Sequence, residues 1–244
     1  MTARLTAVVG SVSPGDTVWL GNFGVQLFAV ADELIRWGLT GLHVVIGSGG
    51  LVLDRLIGAG VVDEVTFAHC WSAVGPAPAW EFRRAWQDGA AIRWHELPLG
   101  ALSAALGAAA RDVPFAPVVV SPESGYLADD WAGGMLAEIA SPFGPATVVR
   151  ALPIDVAFVH ASLADPGGDA HFGYAPGDAV AAAQAARRVV VVAERVVDSV
   201  REVDLPGLLV DTVVEVPGAA APDGVPGLYP RDVAAYEAYA GRGA

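Results

Sequence analysis

The runs Leu42–Ile46, Val156–Val159 and Val189–Val192 are short, apolar and valine-rich. A strand with one wet face alternates apolar and polar residues, whereas an unbroken apolar run of this length is buried on both faces. Between such runs the spacing turns helical, and strands separated by helices build a mostly parallel sheet flanked by helices. The fold class is therefore α/β. Thr17–Leu20, Glu64–Phe67, Ala91–Trp94 and Thr212–Val216 read as further strands. Leu27–Trp37, Leu51–Ile57, Ala79–Gln87, Gly100–Arg111, Asp178–Arg188 and a last segment from Arg231 read as helices. Phe82 and Trp86 stand at i,i+4 and share one helix face. Residues 121–146 break the rhythm with prolines, glycines and the aromatics Tyr126, Trp131 and Phe143. They read as a long excursion, either packed on the surface or shaped for a substrate or partner. No repeat or linker divides the chain, so residues 1–244 read as one domain.

Charge narrows the partners. The chain carries 27 acidic and 14 basic residues, a net charge of −13, and every basic residue is arginine. A nucleic-acid backbone or an anionic membrane surface calls for a basic stripe, and none is present. Neither nucleic acid nor membrane is expected as a partner. The single cysteine, Cys70, excludes an internal disulfide framework and a cysteine-based zinc site. A reducing, cytoplasmic setting fits. Met1–Gly15 has no long apolar run, so no signal peptide is expected there. No apolar stretch reaches the ~18–20 residues of a membrane-spanning helix.

Several familiar motifs fail on inspection. Gly47-Ser48-Gly49-Gly50 resembles a dinucleotide loop, but it follows the second strand and has Val52 where the third glycine belongs. Without lysine there is no P-loop, and no G-x-S-x-G elbow occurs. His43, His69, His95, His160 and His171 show no i,i+4 pair, so no metal site is expected. His95-Glu96 and His160 are placed at strand ends, where the ligand crevice of a parallel sheet opens. There they are either structural groups or part of a site. Gly21-Asn22-Phe23-Gly24 is the strongest local signal: two glycines between a strand and a helix allow close backbone approach to a ligand.

Taken in order, these segments resemble the alpha (A-type) subunit of the family I coenzyme A transferases. The resemblance rests on Gly15–Val18, the Gly21–Gly24 loop (similar to the family's G-G-F-G), Gly47–Gly50 and Trp80–Phe82. It continues through Pro114–Pro117, Asp155–His160, Val191–Asp198 and Gly227–Asp232. It implies a CoA-transferase-like fold of the NagB/RpiA/CoA-transferase type. It also implies an enzyme subunit that moves CoA between an acyl-CoA and a carboxylic acid. The family's nucleophilic glutamate sits in a partner of the same family, the beta (B-type) subunit, so no catalytic residue is expected in this chain. Heterodimer or heterotetramer is the expected assembly, with no permanently bound cofactor and coenzyme A entering as part of the substrate. The residues that the resemblance assigns to substrate binding are Gly21, Asn22, Phe23, Gly24, Gly47, Ser48, Gly49, Gly50 and Glu96.

The chain also departs from the pattern. Asn22 stands where the family has a second glycine, which alters the pocket. Glu123-Ser124-Gly125 is only superficially like the nucleophile motif S-E-N-G. One branch of the fold resembles steroid-ring-degrading acyl-CoA hydrolases whose alpha subunit carries its own glutamate; here Leu99 takes that place. Another branch decarboxylates a branched acyl-CoA and has a similar Gly-Leu-Tyr-Pro stretch. Decarboxylase, hydrolase and non-catalytic acyl-CoA-binding protein therefore stand as alternatives. Glu96 is either structural or orients substrate, and Glu194 is expected to pair with a basic group.

Overall fold

The computed structural model describes residues 4–21, 25–75, 79–121 and 123–240. The first half runs α1 (Leu5–Val9), β1 (Thr17–Trp19), α2 (Phe28–Arg36), β2 (Leu42–Ser48), α3 (Gly50–Gly58), β3 (Val62–His69), α4 (Trp80–Gln87), β4 (Arg93–Glu96) and α5 (Leu99–Ala110). The second half runs β5 (Phe115–Val118), α6 (Gly125–Ala128), β6 (Leu136–Ser141), β7 (Gly144–Arg150), β8 (Ile154–Ala164), β9 (Ala170–His171), α7 (Ala179–Ala185), β10 (Ala186–Val196), β11 (Thr212–Glu215) and α8 (Val233–Ala240).

Seven strands lie in the order β11-β10-β8-β1-β2-β3-β4, all parallel, and β9 adds an antiparallel pairing to β8. The alternation of strand side chains sorts them into two cores. Val18, Val44, Ile46, Val156, Phe158, Val190 and Val192 point to one side. There α1, α2, α3 and α8 cover them with Val9, Phe28, Leu34, Leu53 and Tyr236. Trp19, Val45, Ala157, Val159, Val189 and Val191 point to the other side, under α5 and α7. Both faces of the sheet are thus dry, which is why its strands read as continuous apolar runs. The expected mostly parallel, helix-flanked sheet is the observed one.

Three boundaries differ from expectation. Residues 121–146 are not all loop: β6 and β7 form a hairpin that pairs with β5 in a three-stranded antiparallel sheet. Pro117 sits in β5, an edge strand of that sheet, where a missing N–H is tolerated. The helix expected over Asp178–Arg188 stops at Ala185, and Ala186–Arg188 open β10. Ala186 and Arg188 pair with Ile154 and Val156, so ladder formation overrides alanine's helix preference. His160 lies inside the 11-residue β8 rather than at its end. The helix pair expected at Phe82 and Trp86 does share a face: both rings meet Trp94 edge-on, at 5.1 and 5.4 Å.

From β1 the chain steps outward through β2, β3 and β4, then returns to β8 and steps the other way through β10 and β11. The strand order reverses between β1 and β8, and a crevice for ligand opens beyond the carboxyl ends of strands at such a point. Among the described residues, no helix is long and apolar enough to cross a membrane.

Candidate functional site at the carboxyl ends of the strands

Gly21 follows β1 with φ +110°, a conformation open to glycine, and a Cβ there would meet Val25 O at 3.2 Å. Asn22, Phe23 and Gly24 lie outside the described residues. The chain re-enters at Val25, which is buried with Ala220 and Val225 of the C-terminal segment. Gln26 then reaches across to the next strand end. Its Nε2 donates to Ser48 O at 2.8 Å and to Gly49 O at 3.2 Å. One amide therefore ties the loop after β1 to the loop after β2.

The second loop is fixed from both sides. Gly49 N donates to His69 O at 2.9 Å, and Ser48 Oγ lies 3.0 Å from His69 Nε2. The Cys70 thiol donates to Gly50 O at 3.5 Å. Gly50 opens α3 with φ +49°, and a Cβ there would lie 2.6 Å from Gln26 Nε2. Gly47 lies in β2, one residue before its end. Because Gly49 N–H already has an acceptor, it is not a free donor for an oxyanion. The structure thus brings Gly21 and Gly47–Gly50 to one end of the sheet.

Glu96 ends β4 on the same edge. Its N–H donates to Trp131 O at 2.9 Å, and its Oε1 accepts from Tyr126 Oη at 3.4 Å. Burial pushes the Glu96 carboxyl above its ordinary range, against the weaker lowering by Tyr126. Beside it opens a cavity of about 460 Å³ whose walls include Phe67, Trp71, Phe82, Trp86 and Trp131.

A second polar cluster lies on β8 and β10. Glu194 Oε1 accepts from His160 Nε2 at 3.0 Å and from Tyr229 Oη at 2.5 Å, and Oε2 accepts from Gly218 N at 2.6 Å. Tyr174 Oη lies 2.8 Å from the other nitrogen of His160. Burial pushes the Glu194 carboxyl up, but the donors His160, Tyr229 and Gly218 outweigh it and leave the group below its ordinary range. Burial and then Glu194 itself push the Tyr229 hydroxyl upward. Glu194 pairs with a histidine, as a basic partner, and also fastens residues 218 and 229 of the C-terminal segment. Sequence patterns alone did not point to Gln26 or Tyr174, and Tyr229 stood out only within the Gly227–Asp232 stretch that carries the resemblance. The only local signal for Gln26 is a polar residue inside Val25–Val30, just ahead of α2.

Residues 2–216 match the family model for coenzyme A transferase. The chain is 30% identical to the A-type subunit of glutaconate CoA-transferase from Acidaminococcus fermentans, over 93% of this chain and 78% of that protein. It is 32% identical to the cholesterol ring-cleaving hydrolase IpdA subunit of Rhodococcus jostii, over 88% of this chain and 78% of that one. Its backbone follows the crystal structure of glutaconate coenzyme A-transferase from A. fermentans with a TM-score of 0.91 at 27% identity, covering 98% of this chain and 83% of that one. A variant of the decarboxylase AibA/AibB superposes with a TM-score of 0.89 at 28% identity, covering 99% and 92%. With the fold, the switch-point crevice and these likenesses together, the chain belongs to the coenzyme A transferase family, as a member of the alpha-subunit type whose relatives include transferases, hydrolases and decarboxylases.

Proposed function

We propose that this chain is the alpha subunit of a heteromeric enzyme that moves CoA between an acyl-CoA and a carboxylic acid, with the attacking glutamate on a partner of the beta type. The observation that carries the proposal is the crevice built by the loops after β1 and β2 and braced by Gln26. Relatives named as the A-type subunits of glutaconate and 3-oxoadipate CoA-transferases support the need for a partner. Glu194 already accepts three hydrogen bonds, which suits a structural role better than attack.

In the proposed reaction the partner's carboxylate attacks the thioester carbonyl of an acyl-CoA. The carbon–sulfur bond breaks, giving an acyl-glutamyl anhydride and CoA thiolate. The thiolate then attacks the glutamyl carbonyl and expels the acyl group as its carboxylate, leaving an enzyme-CoA thioester. A second acid reverses the sequence and leaves as the new acyl-CoA. Each attack passes through an oxyanion that needs N–H donors in a dry site. Gly21, Asn22, Phe23 and Gly24 with Gly47, Ser48 and Gly50 line the substrate, while Gly49 sets the turn and Glu96 orients the acid.

Decarboxylation is the second reading, favoured by the backbone likeness to the AibA/AibB decarboxylase variant at 28% identity. Coexpression with a beta-type partner, followed by assay with an acyl-CoA and a free acid, tests both. Exchange of CoA between the two acids is the expected result. Release of carbon dioxide or of free CoA without exchange selects decarboxylation or hydrolysis instead. Turnover by this chain alone overturns the division of labour.

A further inference from the structure

The cavity beside Glu96 has a size and a lining that transfer chemistry alone does not account for. Its volume of about 460 Å³ falls in the ~300–1,000 Å³ range of small-molecule sites, far more than an acetyl group fills. Its wall is aromatic and held in place. Phe67, Phe82 and Trp86 each meet Trp94 edge-on, with centroids 6.2, 5.1 and 5.4 Å away, so one buttress orients three rings. Trp131 is oriented in turn by Tyr126, at 6.1 Å and 80°.

The cavity also leaves apolar surface wet. Trp71 is 63% exposed and Trp86 52%, although both line a concavity. Arg83 sits among these rings, and among the described residues its guanidinium makes no hydrogen bond or ion pair. In a chain of net charge −13, an arginine without a carboxylate partner, at the mouth of an aromatic cavity, is an open anion contact. Glu96 stands on the same lining, with its carboxyl pushed toward the neutral form by burial.

We infer that this cavity binds a ring-bearing carboxylic acid, the ring among Phe82, Trp86, Trp71 and Trp131 and the carboxylate at Arg83. Planar apolar rings gain most against such walls, because ring-to-ring contacts add to area burial. Because the cavity shares Glu96 with the proposed site, and His69 and Cys70 with the loop after β2, the inference names the acid that the proposed enzyme would take. It rests on that reading for its role, but not for binding.

Calorimetric titration of the full chain with phenylacetate, cyclohexanecarboxylate and acetate tests it. Phenylacetate and cyclohexanecarboxylate should bind at least tenfold more tightly than acetate. Trp86→Ala and Arg83→Gln should each weaken phenylacetate binding about tenfold; the melting temperature should stay in place for Arg83→Gln, whose side chain is exposed, and fall by only a few degrees for Trp86→Ala, which loses its contact with Trp94. In the coexpressed complex, Trp86→Ala should raise KM for ring acids at least tenfold more than it raises KM for acetate. Equal binding of the three acids, no measurable binding, or binding indifferent to both substitutions overturns the inference. If the wild-type cavity is silent but becomes protected from hydrogen exchange only when the beta-type partner is added, it is a docking wall and the inference fails. Ring-acid binding without acyl-CoA turnover upholds the site and sinks the transferase reading; turnover confined to short acids does the reverse.

Discussion

Gln26 holds two loops with one amide, and that makes it the most informative single residue to change. Gln26→Ala leaves Ser48 O and Gly49 O without their side-chain donor, a loss of about 1–3 kcal/mol if water cannot replace it. Its effect on the crevice should exceed its effect on folding, because Ser48 and Gly49 stay anchored to β3 through His69. We expect kcat/KM of the coexpressed complex to fall at least tenfold while the melting temperature drops by only a few degrees. A parallel loss in a variant that no longer folds would show instead that the brace is structural. Gly50 provides the partner experiment. Gly50→Ala forces a Cβ onto a backbone at φ +49° and within 2.6 Å of Gln26 Nε2. The conformational part alone costs about 1–2 kcal/mol. In a double-mutant cycle, Gln26→Ala should relieve the contact but not the backbone strain, so denaturant midpoints should show a coupling of at least ~0.5 kcal/mol. Strict additivity would mean that the two loops do not touch in solution.

At the scale of elements, β1, β2, β3 and β4 share a partly buried polar layer beside the 132–135 turn. His43 Nε2 lies 2.8 Å from Thr66 Oγ1, and its Nδ1 lies 3.4 Å from Thr17 Oγ1. His95 Nε2 lies 2.8 Å from Glu64 Oε1 and its Nδ1 3.2 Å from Ala132 O, while Arg93 also pairs with Glu64. Burial lowers His43 to about 4, opposed by Glu64 and reinforced by His95, Arg93 and Arg150. Its ordinary value is 6.5, so between those two pH values the unfolded chain takes up a proton that the folded chain refuses. Stability from this group should therefore fall as pH drops from 6.5 towards 4, by an amount on the order of 3 kcal/mol at full protonation. Urea midpoints measured from pH 6.5 to 5 should fall for the native chain and flatten in His43→Asn; equal slopes would place the titration elsewhere. The same layer shows what sequence alone conveys about this fold. The central strands were legible because Val44–Ile46 and Val189–Val192 are apolar on both faces. The β6–β7 hairpin was hidden because Pro142, Gly144 and Pro145 read as loop, and its strands bury only one sparse face. The end of α7 was hidden because alanine favours helix while pairing with β8 decides otherwise. The glycines at the strand ends marked the crevice, but its braces are long-range pairs. Glu194 and Tyr229 are 35 residues apart, and Gln26 and Ser48 are 22 apart, so no local pattern announces them.

For the whole molecule, the question is what covers its remaining apolar surface. Hydrophobic residues make up 54% of the chain and charged residues only 17%, leaving little polar area beyond what the two cores already exclude. The small antiparallel sheet carries two of the most exposed apolar side chains at one end. Phe143, in the turn between β6 and β7, is 100% exposed, and Val119, just past β5, is 101% exposed. Val118 pairs with Thr147 and Ser141 with Gly144, so both residues project from the same end of that sheet. An exposed phenylalanine at a hairpin tip contributes nothing to this chain's own core, and a stable association buries about 800 Å² per partner. We therefore expect the beta-type partner to be seated with residues 121–146 on the rim of the interface. Size-exclusion chromatography with light scattering should give an αβ or α2β2 mass for the coexpressed pair. The double substitution Val119→Ser and Phe143→Ser should weaken association several-fold, because two apolar side chains that stand in solvent in this chain lose the burial that the partner would give them. It should leave the melting temperature of this chain alone within a degree or two, since both side chains stand in solvent. Two separate monomers at micromolar concentration would remove the partner from the proposal, and an unaffected complex would move the interface away from the small sheet.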